Sequence, residues 1–548
     1  MFLLLYMVIF MPTKHALLAE DFTYVNPLLY GAAFTNVTLQ ATITAIGTSR
    51  ATIALPTGTW VISSNLTIPA NIDLIVPAGA LLTRNPGVSL VLNGGLIAPQ
   101  VQIFSGTGTT VFGQKVGTVY PQWWGATFDG ATDDLAALQA AVSTGREVLC
   151  PPGTAILSAP LSVPSNTTLR GTSGATILKC AANFGNNPLL VTSVLASTLG
   201  ARNSNIRLRD LTLDGNRANN GTGGGLSSTL IIRSSVDVWV ENVTSINAFA
   251  YGIYIDYGST SAIYCERIHI RSCYVFNCGQ ACIHATSGDG ILIEGNTVEG
   301  TNTNGIAVIL TASGSLLRDV RICQNRVANG VGTGLVYGIA ASAGLGLTGT
   351  DILIVDNTVL AWPGTGAAIA YNNIIGCTIR HNQCRSQAQG IADLGGPSTT
   401  ELTIQGNRIR DCAARGILYV GTAPACITNN LIRVAVTAGI DVQNMTAGVV
   451  SQNTIQSVNG SGILLTTVGR SSICGNTCYT NNANGINLLA CLDNAVQGNT
   501  CEVNQGAGIQ ETTGSDYTAI IGNICRSNSV AGITTVGVHT ILVNNLAT

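Results

Sequence analysis

Side chains able to exchange protons or hold charge fall in matching places of three neighbouring segments. In GIYID, Tyr254 and Asp256 alternate with Ile253 and Ile255; in CIHAT, His284 and Thr286 alternate with Ile283 and Ala285; in LIIRS, Arg233 takes the place of Asp256. Successive side chains of a strand point to opposite faces, so Arg233, Tyr254, Asp256 and His284 are expected on one outer patch with Thr286 beside them. A guanidinium there can hold a carboxylate, and His284 with Tyr254 can exchange protons at a carbon or a leaving oxygen. A competing chemistry uses Asp256 as one acid of a hydrolytic pair, with the second from Asp214 or a neighbouring subunit. The inert alternative is an Arg233 to Asp256 surface pair flanked by two exposed rings, which contributes little. Nine of the 27 acidic residues lie between Asp210 and Glu299, and Asp214 opens DGNRANNGTGGG, a stretch suited to forming a lip over the patch.

The element that must position these residues is a repeat. A unit of apolar, x, x, Asn, x, apolar, followed by Gly-Ile nine residues after the Asn, recurs through the chain. Its asparagines are Asn296, Asn325, Asn357, Asn382, Asn407, Asn430, Asn453, Asn476, Asn499, Asn523 and Asn545, and from Asn407 to Asn499 each step is 23 residues. Gly416, Gly439, Gly462, Gly485 and Gly508 keep the same interval. Each unit holds short runs rich in Ile and Val with Gly and Asn turns, and no stretch at helical period. A coil of this size cannot bury its own apolar side, whereas stacked coils about 4.8 Å apart pair their backbones and share one core. The Asn column is then an inward hydrogen-bonded ladder without chemistry. Cys384, Cys478, Cys501 and Cys525 sit two residues after a ladder Asn, at core positions. Cys273 replaces the Asn and Cys282 the Gly, so a zinc reading of Cys265, Cys273, Cys278 and Cys282 competes with buried thiols; the spacing follows the coil and favours thiols.

Composition narrows the class. The 548 residues carry 25 basic and 27 acidic side chains, a net charge of -2, which argues against nucleic acid as a partner. Only 9% are charged, while 46% are hydrophobic and Gly reaches 63, so uncharged polar residues must solvate the surface of a large core. No apolar run long enough to span a membrane follows the N-terminus. Residues 1–20 contain an apolar stretch from Phe2 to Met11 and Ala19 before an acidic pair, which suits a secretory signal. No Lys or Arg precedes that stretch, so a buried plug or a misassigned start fits the same residues. Residues 21–119 read as an N-terminal β-rich region with no helix signal. A helix near 133–143, capped by Asp133 and Asp134 with Leu135, Leu138 and Val142 on one face, is expected to cover the open end of a solenoid spanning 120–548. Trp123 and Trp124 are expected to wedge that cap onto the core. No metal or cofactor is expected.

The segments WWGATFDGATDDLAALQAAV, VLCPPGTAIL, LRGTSGATI and LRDLTLDGN resemble the pectate-lyase-like right-handed parallel β-helix superfamily, including glycoside-hydrolase-related proteins and phage tailspikes. The resemblance covers about 120 to 548 and implies an all-β fold. It implies no single activity, because that architecture hosts lyases, hydrolases, epimerases and inert fibres. In polygalacturonases the catalytic aspartates and a histidine stand just before the Gly-Ile strand of successive coils. Those places hold Tyr251, Gln280 with Ala281, and Asn304 here, so the expected acids are missing and paired-carboxylate hydrolysis of that kind is disfavoured.

The resemblance also implies saccharide binding on the patch face. Catalytic roles then fall to Tyr254, Asp256 and His284, and substrate contacts to Arg233, Asp214 and Thr286, with Arg233 holding a uronate or other acidic sugar. The expected protein is extracellular or virion-borne and binds and modifies a polysaccharide, by lyase, epimerase or glycoside hydrolase chemistry. The alternative is a non-catalytic structural or adhesive fibre. The outward Leu418 and Leu464 could serve it by packing against another subunit, as in a homotrimer.

Overall fold

A computed structural model describes residues 24–192, 198–220, 224, 226–332, 336–344, 346–362, 365–386, 389–395 and 399–548. The hydrophobic segment 1–20 and residues 221–223 and 225 of the proposed lip lie outside them. The chain forms two compact units, one of residues up to Gly117 with Gln122–Gly125, the other of Thr118–Pro121 with Ala126–Thr548.

The second unit is a right-handed parallel β-helix. Its three sheets hold 17, 17 and 15 strands, and each coil between the terminal ones contributes one strand to each in turn. In one coil these are Ser472–Cys474 in the first sheet, Thr477–Tyr479 in the second and Ile486–Leu489 in the third. All neighbours pair in parallel, with equivalent residues stacked: Ile463, Ile486 and Ile509 form one inward column.

The Asn ladder lies at the corner between the first and second sheets. The backbone N–H and Nδ2 of Asn453 both donate to Asn476 Oδ1 at 3.0 Å, and Nδ2 also donates to the Ile427 carbonyl at 2.9 Å. The pattern runs coil by coil to Asn545. Cys273 starts it, its N–H donating to Asn296 Oδ1 and its thiol to the Val240 carbonyl. A shorter ladder of Asn481, Asn504 and Asn528 supports the next corner. The glycine column answers to a close approach: a Cβ on Gly439 would lie 2.6 Å from the Gly462 carbonyl, and one on Gly462 would lie 2.7 Å from that of Gly485. All sixteen cysteines, each among the described residues, are free thiols. Burial pushes the thiols of Cys265, Cys273 and Cys377 up to about 12.

Helix α1 spans Asn36–Ile46 and helix α2 Leu135–Val142. The α2 helix stands in its coil where later coils place a third-sheet strand, and buries Leu138, Ala141 and Val142. Its caps differ from expectation. Asp133 accepts from the Leu135 N–H, while Asp134 turns back to accept from the N–H groups of Thr127 and Phe128 and pins the preceding loop. Helix α1 departs from the helix-free reading of the N-terminal region. It lies over the strands Gly58–Ile62 and Leu66–Ile68 and buries Thr38, Leu39, Thr42 and Ile43. The strands of that unit form three small parallel sheets, a short β-helix of their own. Trp123 and Trp124 belong to it and pack on Phe104 and Phe112. Among the described residues no helix is long and apolar enough to cross a membrane.

Candidate functional site

The third sheet carries the patch on its outer face. Ile231, Tyr254, His284 and Ala307 stack in one column, and Arg233 pairs in register with Asp256 in the next. Two Arg233 groups, Nε at 3.0 Å and Nη2 at 2.8 Å, donate to Asp256 Oδ2. The Tyr254 hydroxyl (3.1 Å) and the Tyr257 N–H (2.9 Å) donate to Oδ1. Asp256 is buried and fully engaged, so it holds Tyr254 and Arg233 in place. Among the described residues, Arg233 Nη1 is uncommitted.

His284 is 8% exposed. Its ring stacks on Tyr251 at 4.5 Å and 8°, with Tyr254 at 5.4 Å. Its enclosed Nδ1 has no hydrogen-bond partner, which leaves Nε2 as the nitrogen a ligand can reach. Burial pushes the imidazole down to about 4, because the charged form loses hydration with no carboxylate beside it. Burial, reinforced by the Asp256 charge, raises the Tyr254 phenol well above its usual value. At neutral pH the pair is therefore a neutral imidazole beside a protonated phenol.

Two expected substrate contacts are placed otherwise. The Thr286 hydroxyl donates to the Ile255 carbonyl at 3.3 Å and lies 3.5 Å from Asp256 Oδ1, so it braces the site from inside. Asp214 ends the strand Thr212–Asp214 of the second sheet, where it bonds to Lys179 and Asn247. Arg233 and Asp256 end their strands at the opposite corner of the third sheet, so the length of Leu230–Arg233, about 10 Å, lies between the Asp214 corner and that pair. Asp256 thus has no second carboxylate from Asp214 for hydrolysis. The two rings are not both solvated as a simple surface pair would have them, since His284 is buried.

Sequence reasoning missed three features. Tyr251, the turn residue before Gly252, supplies the face on which His284 stacks. Along the same column Ala307 and Ala340 are buried beneath Tyr251, Ile309 and Tyr337 despite pointing outward. Further on, Asp441, 1% exposed between Leu418 and Leu464, pairs with Arg415 and accepts from Gln443. An Arg three residues before an outward Leu, one coil upstream of an outward Asp, was its available signal. His269 is a stacked surface residue on Trp239, itself covered by Arg207.

Two family models match parts of the chain. Residues 123–336 match Rhamnogalacturonase A/epimerase, pectate lyase-like, and residues 349–538 match Periplasmic copper-binding protein (NosD). With the three continuous sheets, this defines the class: a right-handed parallel β-helix whose residues 123–336 are similar to pectate-lyase-like proteins. The chain is 33% identical over 187 residues to the pre-neck appendage protein of Bacillus phage B103, covering 31% of this chain and 21% of that protein. It is 37% identical over 109 residues to mannuronan C5-epimerase AlgE6 of Azotobacter vinelandii, covering 18% and 12%. The pre-mature gene product 12 of bacteriophage phi29 superposes with a TM-score of 0.49 at 19% identity, over 78% of this chain and 56% of that one. The chain spans about a fifth of the length of the phage relatives it matches. Among the described residues no three His, Cys, Asp or Glu side chains converge as a metal site.

Proposed function

We propose that the protein binds an acidic polysaccharide across the outer face of the third sheet and acts on a uronate unit, by elimination or epimerisation. The observation that carries this reading is His284, buried, neutral and unpartnered at Nδ1, beside a protonated Tyr254 held by Asp256. Arg233 Nη1 meets the uronate carboxylate, and the charge-assisted bond stabilises the negative charge that grows on it when the neighbouring ring C–H is broken. His284 takes that proton at Nε2. Tyr254 returns a proton, either to the opposite face of the same carbon, giving the epimer, or to the departing glycosidic oxygen, giving an unsaturated chain end. Asp256 positions both Tyr254 and Arg233 and is not spent as an acid.

The likeness to a mannuronan C5-epimerase supports this chemistry, and the likeness to phage pre-neck appendage proteins supports a place on a virion surface or outside the cell. The test is incubation of the purified protein with a panel of acidic and neutral polysaccharides, following unsaturated uronates, altered uronate stereochemistry and new reducing ends, beside His284→Ala. Unsaturated ends or inverted centres, lost in the variant, uphold the proposal. Reducing ends alone move the assignment to hydrolysis, and silence across the panel moves it to a non-catalytic fibre.

A further inference from the structure

A polar cavity lies at the corner between the second and third sheets, with no residue of the His284 patch in its lining. Its volume is about 490 Å³, within the range of small-ligand sites. Three successive coils build its floor as a ladder: Asn277 Nδ2 donates to Asn247 Oδ1 at 2.8 Å, and Asn247 Nδ2 donates to Asp214 Oδ1 at 3.0 Å. Both asparagines adopt left-handed backbone, with φ of 58° and 55°, which places their amides at the turn. Asn216, also left-handed, closes the side, its N–H donating to Asp214 Oδ1 at 2.9 Å.

Two cations border the floor. Lys179 Nζ lies 3.7 Å from Asp214 Oδ2. Arg217 has no carboxylate within 4 Å among the described residues, although it lines the cavity. Its guanidinium lies over Gly279, where a Cβ would meet Cζ at an ordinary 3.4 Å; the glycine itself is demanded by the Phe249 carbonyl, 1.8 Å from that Cβ. One carboxylate against two cations leaves the cavity net positive, with amide donors and acceptors at fixed spacing. In the column that runs from Asp214 through Ile246, the next residue, Phe276, exposes 38% of its surface and offers an apolar ring face.

We propose that this cavity is an accessory binding site for an acidic sugar unit. Arg217 and Lys179 hold the carboxylate, and Asp214, Asn247 and Asn277 take the hydroxyls. The proposal rests on the saccharide reading above, but requires no turnover. It gives Asp214 a saccharide role at a different site from the one its sequence position suggested.

The test is calorimetric titration of the full chain with oligogalacturonate and oligomannuronate, and with a maltooligosaccharide of the same length. Wild type, Arg217→Gln, Asn277→Ala and Arg233→Gln are compared. Loss of one charge-assisted contact is expected to weaken oligouronate binding by about tenfold or more in Arg217→Gln, with a smaller loss in Asn277→Ala and no binding of the neutral sugar. Oligouronate binding that survives Arg217→Gln unchanged but falls in Arg233→Gln would overturn the cavity while sparing the patch. Equal binding of the neutral sugar would overturn the acidic class, and no binding of either oligouronate would overturn the site.

Discussion

Replacing His284 by Phe keeps a ring against Tyr251 and removes one titrating group from a closed site. An unfolded histidine takes up a proton near pH 6.5, whereas burial delays this to about 4 in the folded chain. Below pH 6.5 the unfolded state therefore binds a proton that the folded state refuses, and stability is lost as pH falls through that window. At about 1.4 kcal/mol per unit, the loss from this residue alone is about 2.5 kcal/mol by pH 4.5 and about 3 kcal/mol at lower pH. Carboxylates held low by hydrogen bonds, such as Asp133 and Glu147, also lose stability in acid, but they do so in both proteins and cancel in the comparison. The assay is urea unfolding of wild type and His284→Phe at pH 7.5 and 4.5. The wild type is expected to lose about 2.5 kcal/mol more than the variant between the two. Equal losses would show that His284 protonates as an exposed histidine does, and would remove the neutral base from the proposed chemistry.

Asn453→Ala strips bonds from two neighbouring coils, leaves the Asn430 N–H unpaired in the core and removes the side-chain bond to the Ile427 carbonyl. A cost of about 3 kcal/mol or more is expected in urea unfolding, and a cost below about 1 kcal/mol would refute the structural role of the ladder. Gly462→Ala drives a Cβ to 2.7 Å from the Gly485 carbonyl and 3.0 Å from Cys478 Sγ, so a loss of about 1–3 kcal/mol is expected, against none if the coils separate freely. Asp256→Ala leaves the Arg233 guanidinium half-buried and unpaired and should cost about 3 kcal/mol. The double variant Arg233→Met with Asp256→Leu should cost clearly less, and equal costs would show that the pair is not coupled.

The regular part of the fold was legible because a solenoid prints its geometry on the sequence. Asn at one corner and Gly at the start of the third-sheet strand are each the residue that the local backbone demands, so Asn407 to Asn499 and Gly416 to Gly508 keep the coil's own period. Strand alternation likewise placed Arg233, Tyr254, Asp256 and His284 together, since pairing in register is all that the placement needs. Corners and caps carry no such period. Helix α1, NVTLQATITAI, is rich in β-branched residues and reads as strand; packing on its unit's strands and a left-handed Gly47 at its end override propensity. Asp134 looked like a helix cap because Asp at that position usually is one, yet its carboxylate turned to the loop behind it. Asp214 was assigned to the patch because it opens an insertion suited to a lip, and an insertion's position in the sequence says nothing about which corner of the coil its first residue occupies. Tyr251 was aligned with missing catalytic acids, and its stacking on His284 depends on how a turn folds back across the sheet.

Proton removal from a uronate by His284 is followed by incubating the protein with a uronate polymer in deuterium oxide and locating deuterium on the recovered sugars by nuclear magnetic resonance. Deuterium at the ring carbon bearing the carboxylate, or an unsaturated bond at that carbon, present with wild type and absent with His284→Ala, is the expected result. Uronates recovered unlabelled and saturated, from a polymer that the protein demonstrably binds, would contradict it and leave a saccharide-binding β-helix without catalysis.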